Sequence, residues 1–213
     1  MKTDDLIFLL AADTAPVASH AASRQIAIAM ALGIPLAILT MLLTMGTRPD
    51  LVHAIRFPMF WIKVLFPAAV ACAGFATLAR LARPGVSARI GKWASALPVL
   101  LLWLLAVAAY VSAAPSKRAA MVWGQSWQTC TLSVLMTSVP IFVAAFIALR
   151  QLEPTQLAPT GAYAGMLSGA TGAAIYAFHC PEMALPFLAI WYVAGIAAAA
   201  VIGATLGPRL LRW

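Results

Sequence analysis

The chain has 213 residues, of which 63% are hydrophobic and only 9% charged. A soluble domain carries roughly 25% charged residues, so this chain cannot cover a water-exposed surface, and its solvent is expected to be mostly lipid. The formal charge of +8 does not point to nucleic acid. No basic helix or run of five or more like charges is visible, and most of the excess falls in short loops between apolar segments.

Residues 1–25 form a tail too short for a folded domain. Its first apolar run, 6–12, is short for a signal peptide and follows Asp4 and Asp5, where a signal peptide needs positive charge. The tail is therefore expected to be retained. Thr3 or Asp4 can cap a helix whose first turn is acidic, which suits the helix dipole. Leu6, Leu9 and Leu10 then share one face, and Pro16 ends the run. The resulting amphipathic helix docks either on its own bundle or lipid, or on a basic partner. An anionic membrane repels Asp4, Asp5 and Asp13, which favours the partner.

Residues 26–213 are expected to form an all-α, polytopic membrane domain, a bundle of six transmembrane helices. The six apolar segments cover 26–46, 57–79, 94–114, 131–149, 160–178 and 184–206. Each comes near the ~20 residues that a hydrocarbon core requires. The connections are short, so sequential segments are expected to be antiparallel neighbours. Lysine and arginine set the orientation. Nine lie in the tail, the second and fourth loops and the C-terminal end, and four in the first and third loops. The side with nine is expected to be cytoplasmic, which puts both termini inside.

Lys63 is the one charge within a segment. It lies near the outer end of segment two, where its ammonium group is expected to snorkel to the interface, with Asp50 as ion-pair partner. Gly161, Gly165 and Gly169 in segment five, and Gly195, Ala199, Gly203 and Gly207 in segment six, recur at spacing four. Such stripes of small residues let helix backbones approach closely. Trp93, Trp123, Trp127 and Trp213 mark interfaces, and 121–129 is a candidate interfacial helix.

Cys72 falls mid-segment and reads as a small packing residue. Cys130 and Cys180 are distant in sequence, yet the topology puts both at the outer surface. Three readings of this pair stay open: inert thiols, a structural disulfide, or a redox- or metal-responsive pair. His179, Glu182, Met183 and His53 are nearby candidate ligands, so Cys130, Cys180 and His179 are the candidate metal-sensing set. No Ser–His–Asp arrangement, CxxC, phosphate loop or HExxH is present, so no catalytic residue and no cofactor is expected.

Several blocks together resemble the NrsF family. They are Lys2-Thr3-Asp4-Asp5-Leu6-Ile7, Ala12-Asp13, Pro16-Val17, Gly46-Thr47-Arg48-Pro49-Asp50-Leu51, Pro58-Met59-Phe60-Trp61-Ile62-Lys63, Leu81-Ala82-Arg83-Pro84-Gly85, and the outer Cys130 and Cys180. The resemblance covers nearly the whole chain. It implies a six-span inner-membrane anti-sigma factor that holds an extracytoplasmic-function sigma factor and frees it on heavy-metal or oxidative stress, with the outer cysteines as suspected sensor. The partners it implies are that sigma factor, membrane lipid and a heavy-metal ion. Two alternatives compete. A small transporter or channel should show broken spans or several buried polar groups. A thiol oxidoreductase needs a second dithiol or a quinone site.

Overall fold

Within lipid, backbone N–H and C=O groups find no water, which favours long uninterrupted helices. The computed structural model describes residues 20–82 and 89–212, without the side chains of 89–92. The described residues are all-helical and contain no strand. The tail residues Asp4, Asp5, Leu6, Leu9, Leu10 and Asp13 lie outside them, as do Arg83, Pro84 and Gly85.

The helices are α1 (Ala21–Thr44), the short α2 (Leu51–Ala54), α3 (Pro58–Leu81), α4 (Arg89–Ser112), α5 (Pro115–Trp123), α6 (Trp127–Arg150), α7 (Leu157–Tyr176) and α8 (Leu185–Leu210). Five stretches are long and apolar enough to cross a membrane: α1, α3, residues 93–112 of α4, the α5–α6 stretch and α8. Apolar side chains surround α1 on all sides. Ala22, Ile26, Ala29, Gly33, Ala37 and Met41 face protein, whereas Leu32, Leu36, Leu39 and Leu43 point outward as an exposed apolar surface. Gly46, at φ +72°, ends α1, and its N–H reaches Met41 O at 3.0 Å. A side chain with a Cβ is strained at that φ.

The 20-residue α7 is richer in Gly, Ser and Thr than the others, and its interior position explains this. Twelve of its 20 residues are buried. It packs against α8, α3 and α6, and to a lesser extent α1. A helix enclosed by protein needs small residues for close contact more than large apolar ones for lipid. The expected stripes are the contact. A Cβ on Gly161 would strike Gly203 O, one on Gly165 would strike Ala199 O, and one on Gly207 would strike Leu157 O. Gly195 belongs to a different contact. A Cβ there would lie 2.8 Å from Val134 Cγ1 of α6.

Sequential helices are neighbours for α3 with α4, α6 with α7 and α7 with α8. The expectation fails for α4 and α6, which make little contact because α4 packs on the start of α8 instead. It also fails at the front of the chain, where α1 lies chiefly along α6 and touches α3 little. The cause there is steric. A Cβ on Gly33 would lie 2.9 Å from Ile141 Cα, so the small stripe of α1 matches α6. Pro35, Pro67, Pro98 and Pro140 all sit inside continuous helices. The interruption comes in α8 instead, where Leu188–Tyr192 form a π-helical turn after Pro186. A short helix precedes α6 at Pro115–Trp123, earlier than the 121–129 expected for it.

The bundle has two ends. Ala22, Ala82, Leu149 and Leu211 join one buried cluster, which gathers the start of α1, the end of α3, the end of α6 and the end of α8. Gln25 and Gln151 are hydrogen-bonded there. The opposite end gathers the end of α1, the start of α3 and α6, the end of α7 and the start of α8.

Replacing Gly165 by Ile should disrupt the α7–α8 contact and cost about 1–3 kcal/mol or more. Leu104→Ile on the outward face of α4, where Leu104 is exposed, should stay within about 0.5 kcal/mol. Thermal unfolding of the detergent-solubilised protein separates the two. Equal stability of both variants would contradict the packing.

Candidate functional site: a buried thiol pair

Cys130 occupies the first turn of α6, its N–H bonded to Ser126 O at 3.0 Å. Cys180 lies just beyond α7, its N–H bonded to Tyr176 O at 3.0 Å. Both are free thiols with no exposure to solvent. Their side chains are within hydrogen-bonding reach of each other. The pair singled out by topology is thus a contact in space. Cys72, by contrast, faces outward from α3.

The loop at 177–184, which holds Cys180, is tied down by cations. Lys63 is completely buried. Its Nζ donates to Cys180 O at 2.6 Å and to Glu182 O at 2.8 Å, and lies 5.7 Å from the Tyr192 ring centroid. This overturns the snorkelling expected for it. Two backbone carbonyls and an aromatic face replace the water that the ammonium would otherwise need. The Asp50 partnership is also reassigned. Asp50 accepts a bidentate pair from Arg48 Nε and Nη2, both at 2.7 Å. That bond holds its carboxyl below the usual carboxylate range. The third donor, Arg48 Nη1, reaches Cys180 O at 3.2 Å.

Further bonds join the loop to α1. Arg48 N–H donates to Phe178 O at 3.1 Å, and His179 Nδ1 lies 3.0 Å from Gly46 O, where it serves as donor. His179 is thereby committed to the end of α1. Among the described residues no three of His, Cys, Asp and Glu come together as a ligand set. What the site offers a soft ion is the two thiols.

On the other side, Glu182 Oε1 accepts from Gln125 N at 2.6 Å and Ser126 N at 3.2 Å, so it braces the turn that starts α6. Gly124, at φ +54°, makes this possible, since a Cβ there would come within 2.6 Å of the Glu182 carboxyl carbon. Trp123, Trp127 and Trp191 pack together with centroids 5.0–5.8 Å apart. Trp191 Nε1 donates to Val122 O at 3.0 Å. Trp191 and Tyr192 belong to the π-helical turn, a form of helix that often marks functional sites. Tyr192 is fully buried, and its hydroxyl adjoins the Cys180 thiol without a well-formed hydrogen bond.

The two thiols are not equivalent. A hydrogen bond from Cys130 and, behind it, the charge of Lys63 favour the thiolate at Cys180, against the cost of burial. They hold Cys180 below the ordinary thiol range. Sequence reasoning found the pair but not its setting. Arg48 and the tyrosines were missed as site residues, and Glu182, expected as a candidate metal ligand, instead accepts from Gln125 and Ser126 N–H. A lysine in an apolar segment was the signal for the cluster, and Arg48 and Asp50 two residues apart were the signal for the ion pair.

Comparison with known proteins places this sequence in a family. The sequence profile of NrsF, described as negative regulator of sigma F, matches residues 10–213. The chain is 38% identical over 213 residues, the full length of both, to the probable anti-sigma-F factor NrsF of Azospira oryzae (strain ATCC BAA-33 / DSM 13638 / PS). It is likewise 38% identical, over 217 aligned positions and the full length of both, to the anti-sigma-F factor NrsF of Caulobacter vibrioides (strain NA1000 / CB15N). No solved structure matches. With its whole length matched by both relatives and nearly all of it by the profile, the chain belongs to the NrsF family of negative regulators of sigma F.

Proposed function

We propose that this chain is a membrane anti-sigma factor. It holds an extracytoplasmic-function sigma factor at the cytoplasmic face and releases it when metal or oxidative stress reaches the Cys130–Cys180 pair on the other side. The observation that carries the regulatory part is full-length similarity to two anti-sigma-F factors. The adjacency of two buried thiols supports the sensing part.

In this reading α7 also crosses, as the fifth of six spans in chain order, and both termini face the cytoplasm of the cell whose inner membrane holds the bundle. The asymmetry of lysine and arginine between the two sets of loops supports that orientation. The thiols then face the outer compartment, where a disulfide is chemically permitted. The tail faces the sigma factor. Asp4, Asp5 and Asp13 supply electrostatic attraction to a basic partner surface, and Leu6, Leu9 and Leu10 supply apolar area.

A signal at the thiols moves helices. Closing a disulfide requires Cα atoms about 4.4–6.8 Å apart, and a soft metal ion bridging both thiols imposes its own spacing. Packed helices respond to such a constraint by shifting as units. The start of α6 and the end of α7 both approach the pair, so the shift reaches the inner connection between them.

Three outcomes are expected. Reporter fusions after Trp213 and after Arg24 should read cytoplasmic and one near Lys117 periplasmic; a periplasmic C-terminus would remove the basis for the whole orientation. Deleting residues 1–13 should free the sigma factor while the protein still inserts. Each leucine, if fully buried, contributes about 1.5–3 kcal/mol, so affinity should fall at least about tenfold. Full repression by the truncated protein would show that docking lies elsewhere. Cys130→Ser and Cys180→Ser, made singly, should keep resting repression and lose induction by cadmium, chromate and oxidant in a sigma-dependent reporter. Normal induction in both would exclude the pair as sensor.

A further inference from the structure

Cys180 is held from two directions. Its thiol faces Cys130 on α6. Its carbonyl oxygen is held by two cations, Lys63 Nζ at 2.6 Å from α3 and Arg48 Nη1 at 3.2 Å from the segment after α1. The flanking residues are fastened in the same direction. Phe178 O accepts from Arg48 N–H, His179 bonds Gly46 O, and Glu182 O accepts a second bond from Lys63. If the Cys130–Cys180 spacing changes, Cys180 must either carry Lys63 and Arg48 with it or break bonds that leave a buried ammonium unsatisfied. The second course is costly, because Lys63 is fully buried and has no carboxylate within ion-pair distance among the described residues.

Resting on the sensing role given to the thiols above, we propose that Lys63 and Arg48 are positioning residues that transmit a change at Cys180 to α3 and α1. Neither is needed for resting repression; Lys63 also favours the Cys180 thiolate, so its part in thiol oxidation is separated from its part in release by reading both. Through α1 the displacement runs toward Ala21, where the helix meets the tail. At that end Ala22 packs in the cluster with Leu149 and Leu211, and Gln25 bonds Gln151. Arg48 thus links the outer thiols through α1 to the segment that carries the docking residues, and Lys63 links them to α3. The closing step needs a two-electron oxidant. With the diazene diamide as probe, the two thiols lose two protons and two electrons, the S–S bond forms, and the diazene is reduced to the hydrazine.

The test uses the full-length protein in cells carrying a sigma-dependent reporter and exposed to diamide. The thiol state of Cys130 and Cys180 is read in the same cells by alkylation and mass. The variants are Lys63→Met, which keeps the length and removes the donors, and Lys63→Arg, which keeps donors at similar volume. Lys63→Met is expected to repress before exposure and, having lost the charge that favours the Cys180 thiolate, to form the disulfide more slowly, so variant and wild type are compared at equal extents of thiol oxidation. Its induction is expected to fall on the order of tenfold, a typical size for coupling between sites. Lys63→Arg should restore much of it. A merely structural role would not separate thiol oxidation from release. Arg48→Gln carries the same test should Lys63→Met fail to accumulate. Wild-type induction in Lys63→Met, failure of its thiols to oxidise, or loss of resting repression in both Lys63→Met and Arg48→Gln would overturn the proposal. If wild-type thiols oxidise without induction, it is the sensing role itself that fails, and the inference fails with it.

Discussion

A buried ammonium group is stable inside a helical bundle only where oxygen atoms or aromatic faces replace its water. Lys63 meets that requirement with two carbonyls from the segment after α7 and the face of Tyr192. Much of the outer end follows from this one constraint. The segment must fold back over α3 to present Cys180 O and Glu182 O together, and that path sets the Cys180 thiol against Cys130. It also brings the Glu182 carboxylate to the backbone N–H groups of Gln125 and Ser126, which fixes the start of α6. Arg48 adds a second cation at the same carbonyl, and its own charge is balanced by Asp50.

The rest of the bundle is built for close contact rather than chemistry. α7 lies among α8, α3 and α6 with glycine at the crossing points, where a single Cβ would strike backbone. Thr137 Oγ1 of α6 donates to Gly172 O of α7 at 3.1 Å, which adds a polar tie in the interior. Lipid offers no hydrophobic drive for helices to associate, so such close contact and hydrogen bonding hold them together. Helices joined this way shift as units, which is the mechanical property that a sensor at one membrane face and a docking segment at the other require.

The helical class, five of the six apolar segments and the α7–α8 stripe were legible in the sequence because each depends on local spacing. The pairing of Cys130 with Cys180 was legible through topology alone, since two crossings of the bundle return both to the same end. Three features were not legible, for reasons of geometry. Lys63 lies near a span end, where snorkelling and burial begin from the same spacing, and the difference depends on a carbonyl pair more than a hundred residues away. The sequence offers Asp50 two candidate cations, Lys63 and Arg48, and the bidentate geometry that selects Arg48 appears only in three dimensions. The preference of α1 for α6 over α3 is set by the match of Gly33 with Ile141, a long-range fit that no loop length reveals.

The proposed function joins two faces of a membrane: thiols that would change state on one side and a sigma factor that would be bound on the other. Its central claim is that the state of the Cys130–Cys180 pair sets the affinity for the sigma factor. The direct measurement is equilibrium binding of the purified sigma factor to the protein in lipid nanodiscs, first with both thiols reduced and then after the disulfide is closed. The account predicts tight binding to the reduced form and binding weaker by on the order of tenfold or more to the oxidised form. Equal affinity for the two forms would contradict it.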